Sequence, residues 1–369
     1  MIDAPAVSPA TPVAAEAPVR KARQWEFDAL RVVAISGVVA IHVVGLFLAN
    51  RELRGTLRWW IAAVIDIGAI WAVPAFVMLS GALVLAPAAH AAGPRAFYRK
   101  RFVRILPAMI VWHLIYLFVV RIWLNEQALT VKGVAILVID ARVYTALYFL
   151  WLIAGLYLVA PVLVPFLQAG GPRRAYLTAA AILGWTLVVW IIPPVSGLLG
   201  VARPITLGAW TMWCSYVGYF VAGYALRNLV LRGRALAAVA LLGAVALAEV
   251  IWHYGNRGRF PVLDALLPVS AFGAAVATSA ICIFLVAAGI GGLWTPAEPV
   301  QRVFKQLSDA SFGVFLVHLL ILALVQRAVP VIKAGDDLTA LLIAYAGILV
   351  ASFAVSMGAA RVPYLRSIF

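Results

Sequence analysis

Apolar residues recur along this chain in long blocks, and shorter polar segments separate them. Ten blocks are about 20 residues long, enough for a helix to cross a hydrocarbon core of about 30 Å. The predicted spans are residues 29–49, 59–86, 104–124, 146–167, 175–193, 209–227, 235–254, 265–289, 311–329 and 338–358. The pattern therefore predicts an all-α polytopic membrane protein with about ten transmembrane helices.

Two segments fall outside these blocks. Residues 1–24 are rich in Ala and Pro and lack the apolar core of a signal peptide, so we expect a disordered tail before a membrane domain at 25–369. The stretch 129–144 is apolar over too short a length to cross, which predicts an interfacial or re-entrant piece. We find no convincing internal repeat, which weakens transporter architectures built from duplicated halves.

Composition and charge narrow the class further. Hydrophobic residues make up 65% of the chain and charged residues 12%, and the mean hydropathy is +1.03, far from a soluble domain. The net charge of +15 does not indicate nucleic acid, because the basic residues separate the apolar blocks and match no nucleic-acid motif. With the tail placed in the cytoplasm, 18 of the 29 Lys and Arg residues fall on the cytoplasmic side. This bias predicts a multi-pass protein of the cell (inner or plasma) membrane with both termini cytoplasmic.

Cysteine usage adds little. Cys214 and Cys282 both lie in apolar blocks, so they predict neither a disulfide framework nor a metal site.

The first apolar block carries ionisable side chains along one edge. In FDALRVVAISGVVAIHV, residues 27–43, Arg31 and His42 are eleven residues apart, which returns to within about 20° of the same helix face. Asp28 lies one turn before Arg31, where it can position the guanidinium. A snorkelling Arg31 and a His42 that hydrogen-bonds inside a helix bundle are the alternatives. Ionisable groups as deep as His42 usually line a cavity or pathway, so His42 and Arg31 are the candidate catalytic residues.

A basic cluster begins the third block. In FYRKRFVRILP, residues 97–107, Arg101 and Arg104 share a helix face at i, i+3. Paired guanidinium groups suit phosphate through bidentate hydrogen bonds. The alternative is a cluster that fixes topology and meets anionic lipid.

Weaker candidates lie in later blocks. Ser311 and His318 are seven residues apart and share one face of the ninth predicted helix. Glu249 and His253 stand at i, i+4 in the seventh, and Asp66 lies inside the second. Each is a candidate supporting residue or, alternatively, a polar packing contact; Glu249 and Asp66 need partners or protonation at such depth.

Six phrases in this order resemble the membrane-bound acyltransferase-3 family, over about residues 25 to 330. Arg31 and His42 fit its R-X10-H signature, and Arg101 and Arg104 fit its RxxR. The other similar phrases are VPAFVMLSG at 73–81, FLWLIAGLYLVAPVL at 149–163, YVGYFVAGYALR at 216–227 and SFGVFLVH at 311–318.

The resemblance implies an enzyme that moves an acyl group, typically acetyl, from cytoplasmic acyl-CoA to a hydroxyl of a saccharide, lipid-linked or other surface-bound acceptor. Its partners are then acyl-CoA, the acceptor and membrane lipids, with no bound cofactor. In that chemistry Arg101 and Arg104 clamp donor phosphates, and Arg31 binds a phosphate or steadies the thioester oxygen. His42 acts as general base on the acceptor hydroxyl or carries the acyl group covalently.

Two other functions stay open on the sequence. In a proton-coupled transporter or flippase of a glycolipid or amphipathic solute, His42, Asp66 and Glu249 would form a proton or solute path. A membrane scaffold without chemistry is the third possibility, and it does not explain why the chain places the ionisable His42 deep in the membrane at a cost in free energy.

Overall fold

The structure, a computed structural model, describes residues 24–369, which form helices and connecting loops. The predicted disordered tail, residues 1–24, lies outside the described residues except for its last position. In chain order the α-helices are α1 (Trp25–Ala49), α2 (Leu57–Asp66), α3 (Ala72–Val84), α4 (Gly93–Leu114), α5 (Val131–Ile139), α6 (Tyr148–Ala169), α7 (Gly171–Leu198), α8 (Val217–Leu226), α9 (Gly233–Asn256), α10 (Pro261–Leu266), α11 (Ala274–Leu293), α12 (Glu298–Ala328), α13 (Pro330–Ala334) and α14 (Leu338–Ala359).

Two of the membrane crossings are composite. A 3-10 turn at Ile67–Ala69 links α2 to α3, and α4 continues as a π-helix at Ile115–Leu124. Counted in this way, nine helices among residues 24–369 are long and apolar enough to cross a membrane. The predicted all-α polytopic membrane fold is confirmed.

Two predicted spans differ from the observed helices. The span predicted at 209–227 is a 3-10 turn, Met212–Tyr216, followed by α8, and is shorter than the nine long helices. The span predicted at 265–289 begins late, at α11, because Pro268 and Gly273 interrupt the chain after the short α10. In both places apolar composition extends beyond the helix, so hydropathy alone overestimates its length.

The stretch 129–144 does not cross the bundle. It contains α5, whose nine residues cover only about 14 Å and include none that is buried. Residues 140–147 then turn back toward α6 and carry Ala141 at φ 55°, a left-handed conformation that is uncommon for residues other than glycine. The segment therefore caps one end of the bundle.

α1 lies at the centre of the bundle, packed against α2, α3, α11, α12 and α14. α1 and α12 run in the same direction, because Arg31 contacts Ser308 and, deeper, the ring of His42 lies against that of His318. We call the end that carries Arg31 the basic face and the other end the opposite face. The positive-inside bias predicts that the basic face is cytoplasmic.

Two glycines explain why α3 and α8 cross in backbone contact. A Cβ atom added to Gly81 would lie 1.8 Å from the Phe220 carbonyl oxygen, and one added to Gly223 would lie 1.9 Å from the Met78 carbonyl oxygen. The close approach is thus reciprocal, as small residues allow between membrane helices. This contact holds α3 in position, and α3 forms one wall of the central cavity.

Candidate active site

A cavity of about 430 Å³ runs from the basic face into the bundle between α1, α3, α4, α6 and α12. Basic side chains surround its mouth, namely Arg31, Lys100, Arg101 and Arg104. Aromatic and aliphatic side chains line its middle, including Phe76, Phe149 and Phe315, and His42 lies among the deeper lining residues. The cavity therefore joins the two features that the sequence singled out, the basic cluster and the buried imidazole.

At the mouth, one serine hydroxyl bridges an acid and a base. Arg31 Nη1 donates to Ser308 Oγ at 2.7 Å, and Ser308 Oγ donates to Asp28 Oδ1 at 2.8 Å. Arg31 Nη1 also lies 3.7 Å from Asp28 Oδ1. Asp28 and Ser308 are buried, at 5% and 3% exposure, whereas Arg31 faces the cavity. The bridge therefore holds the guanidinium against α12 with its outer edge toward the cavity.

Arg101 is held by aromatic rings. Its guanidinium carbon lies 5.5 Å from the centre of the Tyr157 ring and 5.7 Å from that of Phe97, within cation–π range. The Tyr157 side chain therefore lies against the guanidinium. Among the described residues, Arg101 Nε is buried and has no hydrogen-bond partner. Arg104, one turn further along α4, is exposed and also lines the cavity.

At the deep end, His42 lies beside a second imidazole. The ring centres of His42 and His318 are 5.4 Å apart, and the rings are inclined by 37°. His318 is fully buried; its Nδ1 is 3.0 Å from the Val314 carbonyl oxygen, which marks Nδ1 as the protonated nitrogen. Its Nε2, the acceptor in that tautomer, is buried and has no hydrogen-bond partner among residues 24–369. His42 lines the cavity and His318 does not, so His318 lies behind His42, on α12.

A tyrosine hydroxyl is inserted into α12 beside His318. Tyr116 Oη donates to the Leu316 carbonyl oxygen at 2.7 Å and accepts from the Leu320 amide at 3.1 Å, which are the two groups of one helical hydrogen bond. Tyr116 belongs to the π-helical stretch, where the chain is wider than an α-helix and side chains are displaced. The insertion opens the α12 ladder at the turn that carries His318.

The structure does not bring every candidate residue to this cavity. Glu249 lies 3.3 Å from Nδ1 of His253, whose Nε2 lies 2.7 Å from Asp264, and this cluster is on α9 and α10. Asp66 packs against Gly45, near the opposite end of α1. Neither Glu249 nor Asp66 is among the residues that line the His42 cavity. Glu249 and Asp66 are therefore not part of the cavity wall that contains Arg31 and His42.

Ser311 lies on the cavity wall without a partner across it. Its hydroxyl donates to the Leu307 carbonyl oxygen, one turn earlier in the same helix, at 3.0 Å. Ser311 is therefore a polar wall residue between Ser308 and His318.

Ser308, Tyr148 and Tyr157 are among the residues of the site that sequence reasoning did not single out. Ser308 carried a usable signal, because it lies one turn before Ser311 on the helix that also carries His318. The two tyrosines carried none, since an aromatic residue in an apolar block is most often a packing residue.

One of three comparisons with known proteins found a match. The acyltransferase domain model of the acyltransferase-3 family matches residues 24–361, nearly all of the described chain. Comparison with curated proteins found no match, and comparison with solved structures found none either. The match extends over every helix that lines the cavity, and on that extent the chain belongs to the acyltransferase-3 family of membrane acyltransferases.

Proposed function

We propose that this protein transfers an acyl group, acetyl in the simplest case, from acyl-CoA to a hydroxyl of a saccharide or lipid-linked acceptor. The observation that carries the proposal is the continuous cavity between the guanidinium cluster and His42. The basic mouth takes the charged end of the donor, and the aromatic middle takes its uncharged arm. The donor then enters from the cytoplasm, in keeping with the predicted orientation.

The length of the cavity suits a CoA donor. Arg31 and His42 are eleven residues apart on α1, or about 16 Å along the axis. The pantetheine arm has roughly 14 bonds between the pyrophosphate and the sulfur, and an extended chain advances about 1.2 Å per bond, giving about 17 Å. Phosphates bound at Arg31, Arg101 and Arg104 therefore place the thioester beside His42.

Two routes lead from this placement to the ester product. In direct transfer, His42 takes the proton of the acceptor hydroxyl while the hydroxyl oxygen attacks the thioester carbon. The C–S bond then breaks, and the CoA thiolate takes the proton from His42. In the covalent route, a His42 nitrogen attacks the thioester carbon and expels the CoA thiolate. The acceptor oxygen then attacks the acyl carbon and displaces the imidazole, and the hydroxyl proton passes to the thiolate. Trapping of labelled acyl group on the protein before acceptor is added supports the covalent route.

The role of His42 is tested by His42→Ala in membranes supplied with labelled acetyl-CoA and their own acceptors. Transfer should fall by 100-fold or more, the scale of a lost general base or nucleophile. His113→Ala is the matched control, because His113 is a half-buried membrane histidine that accepts from Trp151 and lies outside the cavity. If both variants transfer label as the wild type does, the proposed function is wrong.

The donor end is tested with Arg101→Gln and Arg104→Gln. Each should raise KM for acetyl-CoA about tenfold or more, because a charge-assisted hydrogen bond contributes about 1.5–3 kcal/mol. With S-acetylpantetheine, which has no phosphates, the same substitutions should change KM little. Arg99→Gln, on the same helix but outside the cavity lining, is the control. Equal effects on both donors would assign the pair to topology instead.

A further inference from the structure

We propose that a second cavity, at the opposite face, binds the acceptor, and that this acceptor is a hydroxyl-rich compound of saccharide type. In the same proposal, the side chain of Tyr148 separates the second cavity from His42. The inference rests on the proposed acyl transfer. It adds a binding site for the second substrate and assigns a function to the segment 125–148, which the donor site does not explain.

The second cavity has a volume of about 550 Å³ and lies at the far end of α4 and its π-helical continuation. Arg121 and Asn125 line it, 17 and 21 residues after Arg104, so it is roughly 25 Å from the basic mouth. The other side of the cavity is formed by residues 140–148. It is therefore open to a substrate that never passes the CoA end.

Arg121 holds the wall of this cavity in place. Its Nε donates to the Val143 carbonyl oxygen at 2.6 Å and its Nη2 to that of Arg142 at 3.0 Å. Its Nη1 donates to Gln127 Oε1 at 2.9 Å. One lining residue, Ala141, has a positive φ angle of 55°. Such backbone is uncommon for residues other than glycine and often occurs at binding sites.

The lining chemistry fits a polyhydroxy compound. Planar polar side chains, those of Asn125, Gln127, Asp140 and Arg142, can each contact two neighbouring hydroxyls, as bidentate groups do. The ring of Tyr144 stacks on Tyr116 at 4.5 Å and offers a fixed aromatic surface to the C–H face of a sugar ring. The volume is in the range of pockets that take small organic ligands.

Tyr148 lines both cavities, and it is the only residue common to their two linings in the described chain. Its side chain lies beside that of Tyr216, a buried residue at the end of the 3-10 turn before α8. One tyrosine ring therefore separates the acceptor cavity from the chamber that holds the thioester and His42. Rotation of this ring about its side-chain bonds would bring an acceptor hydroxyl to the acyl carbon and otherwise exclude water from it.

The first test blocks the acceptor cavity chemically. In a Cys214→Ser background, which removes the exposed native cysteine, Gln127→Cys is treated with a bulky, membrane-impermeant maleimide. Acyl transfer from labelled acetyl-CoA to the acceptors of the source membranes should fall at least tenfold, with KM for acetyl-CoA within twofold. Glu126→Cys is the control, because Glu126 is the adjacent residue, is exposed and does not line the cavity. Equal transfer before and after modification of Gln127→Cys would overturn the site.

The second test removes the partition. Tyr148→Ala should raise the release of free acetate from acetyl-CoA at least fivefold over wild type, because water then reaches the thioester. Tyr148→Phe, which keeps the ring and removes only the hydroxyl, should raise acetate release less, and thermal melting in detergent verifies that both variants fold. Wild-type acetate release in Tyr148→Ala would overturn the partition. A wild-type protein that consumes no acetyl-CoA would instead overturn the proposed function, so the two failures are distinguishable.

Discussion

Ser308 is the residue whose removal tests the geometry of the donor mouth most directly. Its hydroxyl accepts from Arg31 and donates to Asp28, and it is 3% exposed, so water cannot replace it without rearrangement. Ser308→Ala deletes one oxygen atom and leaves both charged groups in place. The substitution therefore changes where Arg31 is held and leaves its charge intact.

The expected magnitude follows from the two lost hydrogen bonds. Each involves a charged partner, for which about 1.5–3 kcal/mol is usual, so the gross loss is about 3–6 kcal/mol. Arg31 Nη1 is already 3.7 Å from Asp28 Oδ1, and a short inward movement restores a direct ion pair and recovers part of the loss. We expect a net effect of about 2 kcal/mol, which corresponds to roughly a 30-fold fall in kcat/KM for acyl-CoA.

The assay measures initial rates of transfer from labelled acetyl-CoA over a range of donor concentrations, together with the melting temperature in detergent. The matched control is Ser352→Ala, because Ser352 is equally buried but donates only to the Ile348 carbonyl oxygen of its own helix. If Ser308→Ala keeps wild-type kinetics and melting while Arg31→Ala is inactive, the bridge is unimportant. The reasoning that connects Asp28 to Arg31 through Ser308 would then be refuted.

The sequence predicted the arrangement of side chains within one helix, but it did not predict the contacts between helices. On α1, helical periodicity alone placed Asp28, Arg31 and His42 on one edge, because a single helix fixes the relative direction of its own side chains. The periodicity of one helix does not determine which other helix packs against that edge. That Arg31 meets Ser308, and that His42 meets His318, depends on α1 and α12 running side by side in the same direction, 277 residues apart in the chain at the first contact.

Glu249 shows the opposite case. Its i, i+4 spacing to His253 is a local pattern, and the structure contains that pair, 3.3 Å apart. The pattern did not say which surface of the bundle α9 would present to the cavity. α9 packs against α11 and the α2 region, away from the donor chamber. Local spacing therefore predicted the pair, but could not predict its distance from His42.

Three further predictions concern packing and charge. Gly223→Val should destabilise the protein by about 3 kcal/mol or more and lower its melting temperature, because the Met78 carbonyl oxygen occupies the space of the new side chain. Tyr116→Phe should lower the free energy of unfolding by about 1–2 kcal/mol, because two hydrogen bonds of the hydroxyl are lost. It should also reduce acyl transfer, because the backbone hydrogen bond of α12 can then close beside His318. Unchanged activity would show that Tyr116 does not contribute to the site. Burial would raise the pKa of Asp264, but hydrogen bonds from the Gly258 amide and the His253 ring outweigh it and hold that pKa below its ordinary value. Its stabilisation is therefore present above about pH 4 and lost as pH falls through the lowered pKa. Asp264→Asn should accordingly lower the melting temperature at pH 7, and this difference from the wild type should shrink as the pH falls below about 4.

The distribution of charge along the donor cavity explains how one helix can carry both a guanidinium and an imidazole through lipid. Four basic side chains surround the mouth, and the middle is lined by rings such as Phe149 and Phe315, where a phosphate would lose its hydration without gaining a partner. If the proposed CoA donor binds here, its phosphates stay at the mouth and only its uncharged arm advances toward His42. Because the arm and the spacing of Arg31 and His42 have nearly the same length, binding at one end would set the position of the reacting carbon at the other. Under the proposed function, the eleven-residue interval on α1 thus measures donor length, and His42 needs no charged partner because the group that reaches it is neutral.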